Sequence, residues 1–444
     1  MTVSRTICLG FLAVIAIGTL LLLLPISIQS GEWGNLVTAL FTTTSAVCVT
    51  GLAVEDTGTY FSFWGQLFIV LLVQVGGLGY MTATTFLLLL VGRKFGLREK
   101  VAIQQSLDIQ GMSGALQLVK SIIALTLLLE LTGAILMFWV FRQEYTPTRS
   151  LWLAVFHSVS AFNNAGFGLF KDNLIGYAKS VPINLIVGLL IILGGIGYQV
   201  MMESYLWGRD RLMRRPTRPV FSLNFKIVTS TTLMLLGLGI LAFLIAESRN
   251  PNTISNFSFN EKVLAAWFMS VTPRTAGFNT IDYGKMTTTG LFITIALMFI
   301  GASPGSTGGG IKTTTFRVLF NCTQAVLQGK DEVRCYQRQI PNTLVLKAVG
   351  VVFGSVMTVT MATVLITLTD PEIEFTRILF EAVSAFATVG LSTGITPTVS
   401  TGAKLILVLT MYVGRVGILL LMSSLLGDPK PTSIDYPEEN LLVG

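Results

Sequence analysis

Long apolar runs recur from one end of this 444-residue sequence to the other, and no fold with a water-facing shell can hide them all. Seven of them cover Ile7 to Ile26, Trp64 to Val91, Val119 to Phe141, Pro182 to Tyr205, Ile227 to Ala246, Leu344 to Thr367 and Lys404 to Leu426. An eighth, Gly290 to Leu327, is interrupted by the glycine-rich stretch from Ser303 to Lys312. About 20 apolar residues carry a helix across the roughly 30 Å hydrocarbon core of a bilayer, so the chain reads as eight transmembrane helices. Only 12% of residues are charged, against about a quarter in soluble domains. The first run follows Arg5, but it is longer than the roughly 7–15 apolar residues of a signal peptide and no A-x-A site follows it, so it is kept as a helix.

The net charge is +7, and in lipid the question is where the positive residues lie, because cytoplasmic loops collect them. The connections after the second, fourth and sixth runs contain Arg93, Lys94, Arg98 and Lys100; Arg209, Arg211, Arg214, Arg215, Arg218 and Lys226; and Lys330, Arg334, Arg338 and Lys347. These fourteen basic residues stand against five acidic ones, and the opposite-side connections show no such excess. The basic loops are therefore expected in the cytoplasm, with both termini, and the chain in the cell membrane; no nucleic-acid partner is needed to explain the charge. The short acidic tail, 428–444, is expected to be loosely ordered. A single imidazole, His157, and four scattered cysteines, Cys8, Cys48, Cys322 and Cys335, argue against a soft-metal site, a disulfide framework or a membrane enzyme.

Each outward-side connection contains a short segment ending in a glycine: Phe41 to Leu52, Phe156 to Phe167, Trp267 to Phe278 and Phe380 to Leu391. Those glycines, Gly51, Gly166, Gly277 and Gly390, lie 115, 111 and 113 residues apart. A second glycine landmark, at Gly76, Gly194, Gly301 and Gly414, follows them by 25, 28, 24 and 24 residues. Two landmarks in register four times make an internal repeat of helix, re-entrant hairpin, helix. The repeats span 1–92, 93–207, 208–328 and 329–427, and the fold class is all-α integral membrane with pseudo-fourfold symmetry.

Ten helical residues span about 15 Å, so each segment reaches halfway through the membrane and returns as irregular backbone. Such backbone is tolerated at depth only where protein buries it or water lines it. The four loops should therefore meet around an aqueous path. Glycine and small side chains let carbonyls replace the water shell of an alkali cation, and helices entering from outside aim their partly negative C-terminal ends at the centre. The loops hold no acidic side chain, which argues against a carboxylate ring for divalent cations.

These four repeats, with their single glycines and a broken second helix in the third, resemble over essentially the whole chain the Trk/Ktr/HKT superfamily of potassium transporters, and within it the KtrB-type subunits. The resemblance implies a K+ pore subunit, often Na+-dependent, that forms a homodimer on a cytoplasmic nucleotide-binding ring of KtrA type; K+ and Na+ would be the transported or coupling ions. Carried over residue by residue, it implies a filter of Val49-Thr50-Gly51, Asn164-Ala165-Gly166, Thr275-Ala276-Gly277 and Thr388-Val389-Gly390. In the superfamily a serine at the first glycine position accompanies Na+ selectivity; glycine at all four favours K+. An alternating-access Na+/K+ carrier, a Na+-permeable relative and a non-transporting assembly subunit are the rival readings.

Pro304 and the glycines of the interrupted run disfavour helix, so 303–312 should be a mid-membrane loop beneath the filter. The resemblance makes it the gate, through Gly305, Gly308, Gly309, Gly310 and Lys312; a loop that merely packs the repeats is the bland alternative. A phosphate-binding reading fails because Ile311 breaks the G-x-x-x-x-G-K-S/T spacing and no strand precedes it. In the other repeats the second helix is expected to run on past its glycines. Charges inside spans face a partner or water. Arg415 is expected either to pair with Glu381 or to limit cation occupancy of the cavity, Lys312 to plug the path or anchor the loop to helix C-termini, and Arg274 to be scaffold behind the filter. Glu130 is expected to pair with Lys120 or another helix, Glu203 to be solvated, and His157 to be structural. The filter reading predicts that Gly51→Ser relaxes K+ preference over Na+ in competition uptake by a K+-uptake-deficient host; unchanged selectivity would refute it.

Overall fold

The computed structural model describes residues 3–79, 115–213 and 221–426. The end of the second apolar run, the basic residues at 93–100 and 214–218, and the acidic tail fall outside the described residues. The chain is almost wholly helical: α1 (Val3–Leu23), α2 (Leu36–Val47), the short α3 (Thr57–Tyr60), α4 (Phe63–Leu78), α5 (Ala115–Phe141), α6 (Pro147–Phe162), α7 (Val181–Ile196), α8 (Tyr198–Leu212) and α9 (Leu223–Glu247) come first. Then follow α10 (Phe259–Val271), α11 (Thr288–Phe299), α12 (Thr313–Leu327), a small hairpin of β1 (Arg334–Cys335) and β2 (Arg338–Gln339), α13 (Asn342–Thr369), α14 (Phe375–Phe386), α15 (Thr401–Val416) and α16 (Ile418–Leu426).

Four helices, α1, α5, α9 and α13, are by themselves long and apolar enough to cross a bilayer, and the bent pairs α7–α8 and α15–α16 bring the number of candidate spans to six among the described residues. Their outer faces carry exposed apolar side chains, Leu233 and Ile245 on α9 and Leu346, Phe353 and Met361 on α13 among them. In water such a belt would be a liability; against lipid tails it costs nothing. The short helices α2, α6, α10 and α14 are mostly buried in their C-terminal halves, including Thr42, Thr43, Thr44 and Ser45 in α2.

Packing follows one rule around the molecule. Each short helix rests on the long helix before it, α2 on α1, α6 on α5, α10 on α9 and α14 on α13. Each also packs on a helix one short helix further back in the chain: α6 on α4, α10 on α7, α14 on α11, and α2 on α15. The last of these contacts joins the two ends of the sequence, so the bundle closes on itself.

The helices after the short ones do not run on, contrary to the sequence reading. Helix α4 ends at Leu78 on Gly79, α7 ends on Gly197 and α15 on Gly417, each glycine at a φ between 78° and 91°. That left-handed backbone is open to glycine and costly for other residues, and it turns α8 away from α7 by 107° and α16 away from α15 by 95°. The last glycine of each Gly-x-x-Gly, which sequence periodicity passes over as a tolerated helix glycine, is a helix stop.

Sequence-distant helix ends are tied by carboxylates. Glu247, the last residue of α9 and fully buried, accepts bonds from the Thr287 N–H (2.9 Å) and hydroxyl (2.5 Å), from Asn250 Nδ2 (2.8 Å) and from Thr253 Oγ1 (2.8 Å). Thr287 is the N-cap of α11. Asp370, which follows α13, likewise accepts from the backbone N–H (2.8 Å) and hydroxyl (2.7 Å) of Ser400, the N-cap of α15. A negative group at a helix N-terminus also suits the dipole. Glu247→Ala should therefore strand several buried donors at about 1–3 kcal/mol each and lower the detergent unfolding midpoint, with Glu247→Gln recovering part of the loss; an unchanged midpoint in both would contradict this.

Candidate functional site

The four short helices end alike. The residue opening each loop, Val49, Asn164, Thr275 and Thr388, has φ of 57°, 57°, 66° and 51°, and the glycine two residues on, Gly51, Gly166, Gly277 and Gly390, has φ of 91°, 69°, 72° and 89°. Three of the openers are β-branched, for which left-handed backbone is an outlier costing on the order of 1–3 kcal/mol. The same strain repeated at four sequence-distant positions marks a constructed site. A hydroxyl near each helix end locks the loop. Ser45 Oγ accepts from the Gly51 N–H (2.9 Å) and Ser384 Oγ from the Gly390 N–H (3.1 Å), while Ser160 donates to the Phe167 carbonyl (2.8 Å) and Thr272 to that of Phe278.

The loops meet in a ring. A Cβ on Gly51 would stand 2.3 Å from the Ala165 carbonyl oxygen, one on Gly166 2.8 Å from that of Ala276, one on Gly277 2.6 Å from that of Val389, and one on Gly390 2.0 Å from that of Thr50. Each glycine thus faces the middle carbonyl of the next loop, and the fourth returns to the first. All twelve residues of these tripeptides are buried except Gly51, which is partly exposed. The helix C-termini that feed the ring carry partial negative charge, and no ionised side chain belongs to it.

Residues 301–312 form a loop between α11 and α12, directly against this ring. Ala302 and Gly301 donate to the carbonyls of Gly309 (3.3 Å) and Ile311 (2.8 Å), which folds the loop onto itself. Ser303 and Thr307 donate to the Gly195 (3.0 Å) and Gly194 (3.2 Å) carbonyls near the α7 break, and Tyr198 N–H, just past that break, donates to Gly305 (3.0 Å). Gly309 N–H donates to Thr388 Oγ1 at 3.1 Å. Gly308 and Gly309 leave no room for a Cβ against the Thr275 and Thr388 hydroxyls. Lys312 Nζ donates to the Gly308 carbonyl at 2.8 Å, a bond within the loop.

Arg415 spans the structure beneath the ring. Its Nη1 donates to the Thr307 carbonyl of the loop and its Nη2 to the Gly76 carbonyl near the end of α4. The Arg415–Glu381 pair proposed from sequence is not formed. Glu381, buried on α14, instead accepts from Ser392 Oγ (2.5 Å), Thr393 N–H (3.0 Å) and Thr396 Oγ1 (2.9 Å), holding the outer return of the fourth loop. Short hydroxyl donors were nearer than a guanidinium on another helix. Glu130 is bound by Asn163 Nδ2 (2.9 Å) at the end of another helix, not by Lys120, and Glu203, partly exposed, also accepts from the Ser222 N–H (3.0 Å) and hydroxyl (2.7 Å). His157 bonds the Leu153 carbonyl (2.7 Å) and accepts the Leu169 N–H (3.3 Å), a structural role.

The structure therefore brings together the four tripeptides, the loop glycines, Lys312 and Arg415, and leaves Glu381 behind the ring. Sequence reasoning passed over Ser45, Ser160, Thr272 and Ser384, although a hydroxyl five or six residues before each glycine is visible in the aligned segments. It also missed the backbone carbonyls of Gly76, Gly194 and Gly195, for which side-chain identity holds no signal.

A closed bundle of apolar helices around four buried glycine loops is a polytopic membrane protein, and its family is one of ion transporters, not enzymes. The chain belongs to the family described as "TrkH: Cation transport protein", whose profile matches residues 5–426, and within the Trk/Ktr superfamily it is of KtrB type. It is 38% identical over 444 residues to the Ktr system potassium uptake protein B of Bacillus subtilis, covering 100% of this chain and 97% of that one. It is 37% identical to the potassium/sodium uptake protein NtpJ of Enterococcus hirae, covering 99% and 97%. The crystal structure of the potassium transporter TrkH from Vibrio parahaemolyticus shares the fold, with a TM-score of 0.72 at 20% identity over 95% of this chain and 85% of that one.

The ring leaves a sharp expectation. Gly390→Ala would place a methyl group on the Thr50 carbonyl at a φ of 89°, and should abolish rubidium uptake even where protein reaches the membrane; uptake at the parental rate would show that the close approach is dispensable.

Proposed function

We propose that this chain is the pore subunit of a K+ uptake system in the cell membrane. It has eight spans in four repeats, 1–92, 93–207, 208–328 and 329–427, related by pseudo-fourfold symmetry, with both termini in the cytoplasm. The observation that carries the reading is the cyclic approach of each loop glycine to the next loop's carbonyl. Thr50, Ala165, Ala276 and Val389 offer their carbonyl oxygens to the axis; an alkali cation entering from outside exchanges its water shell for them, while α2, α6, α10 and α14 favour positive charge at their C-termini. Glycine at 51, 166, 277 and 390 favours K+. The names of the relatives, one a potassium and one a potassium/sodium uptake protein, support K+ as the cargo and Na+ as a coupling or second ion.

Residues 303–312 are the gate. The loop crosses beneath the ring, its glycines fit against Thr275 and Thr388, and Arg415 holds it by the Thr307 carbonyl while grasping the first repeat at Gly76. An ion passes only when those bonds let go. The subunit works as a homodimer on a cytoplasmic KtrA-type nucleotide-binding ring, a reading supported by the Ktr system named for its relatives. In liposomes, purified protein should pass K+ in preference to Na+, and Arg415→Gln or deletion within 305–310 should raise the flux several-fold. Equal fluxes of both ions would overturn the filter; an unchanged rate in both variants would overturn the gate.

A further inference from the structure

Arg274 is the charge in the ring's scaffold that the pore reading does not use. It sits at the end of α10, one residue before the Thr275 that opens the third loop, and only 7% of its surface is exposed. Its Nε and Nη2 have no hydrogen-bond partner, and it takes part in none of the ion pairs among the described residues. A buried cation without a counter-charge is among the costliest things a fold can contain. Arginine does not escape by losing its proton. The buried carboxylates Glu130, Glu247 and Glu381 are each engaged by neutral donors elsewhere.

Beside Arg274 lies a cavity of about 20 Å³ between α7, α9 and the start of the gate loop, lined also by Thr232, Ser303 and Thr313 and otherwise mainly by apolar side chains of α7. A single water-sized sphere needs roughly 10–15 Å³, so the space accepts a small, compact ligand. The polar lining side chains are donors. Ser303 Oγ and Thr313 Oγ1 bond each other at 2.9 Å; two hydroxyls sharing one bond use one proton and leave the second free. No acidic side chain lines the space.

We propose that this cavity binds one halide-sized monovalent anion, held by the Arg274 guanidinium and the free hydroxyl proton of the Ser303–Thr313 pair. A water molecule would fill the volume and leave the charge uncompensated; a halide does both. The anion also offsets the positive field of Arg274 on the adjacent third filter loop, so it favours cation occupancy there. The last point rests on the pore reading; the binding site itself does not.

The test separates the two. Crystals of the full-length protein with bromide replacing chloride, measured at the bromine edge, should show one anomalous peak in the cavity for the parent chain and none for Arg274→Gln. No peak in the parent, or a peak that survives in Arg274→Gln, overturns the proposal. Should that variant not fold, the parent alone decides: its thermal unfolding midpoint should rise saturably with chloride or bromide against gluconate at equal potassium and ionic strength. Equal midpoints in all three salts overturn it. Neither readout depends on ion flux.

Discussion

Irregular backbone inside a membrane has to be enclosed by protein or wetted, and everything else in this molecule follows from how four such stretches are enclosed. The solution is contact between the stretches themselves. Each loop glycine lies where any side chain would strike the carbonyl of the next loop, so no loop can hold its shape without its neighbour. The left-handed openers Val49, Asn164, Thr275 and Thr388 store strain that a free loop would relax, and the short helices, their hydroxyl locks and the surrounding long helices are what holds it.

The same economy explains the second tier. Where α4, α7 and α15 stop, at Gly79, Gly197 and Gly417, the irregular backbone presents carbonyls near the breaks to other parts of the chain. The loop at 301–312 takes up those of Gly194 and Gly195, and Arg415 takes up that of Gly76. Helix breaks that would be defects in a simple bundle become the docking points of the 301–312 loop.

Much of this was open to reading before any coordinates. The long apolar helices and the four short segments that end on glycine followed from hydrophobic run length and from glycine spacing, because lipid imposes a length on helices and a turn at depth needs a small residue. The glycine-rich interruption at 303–312 was legible because Pro304 and its glycine neighbours cannot propagate a helix. The stops at Gly197 and Gly417 were not, since a lone glycine within an apolar run is tolerated in membrane helices and its φ is decided by what packs around it.

Partners of the buried charges were the part that sequence could not decide. Arg415, Glu381, Glu130 and Glu203 each had to find something, and their types and depth said so. Whether Glu381 would meet a guanidinium or three nearby hydroxyl and amide donors depended on angstrom-scale placement of helices far apart in the chain. By itself, the sequence determined that this protein lives in lipid, is built mostly of apolar helices and carries four short glycine-ended segments free of acidic side chains at their tips. The tertiary structure decided which carbonyl faces which glycine and which charge holds the loop, because those are contacts between segments far apart in the chain, and no local pattern records the distance between them.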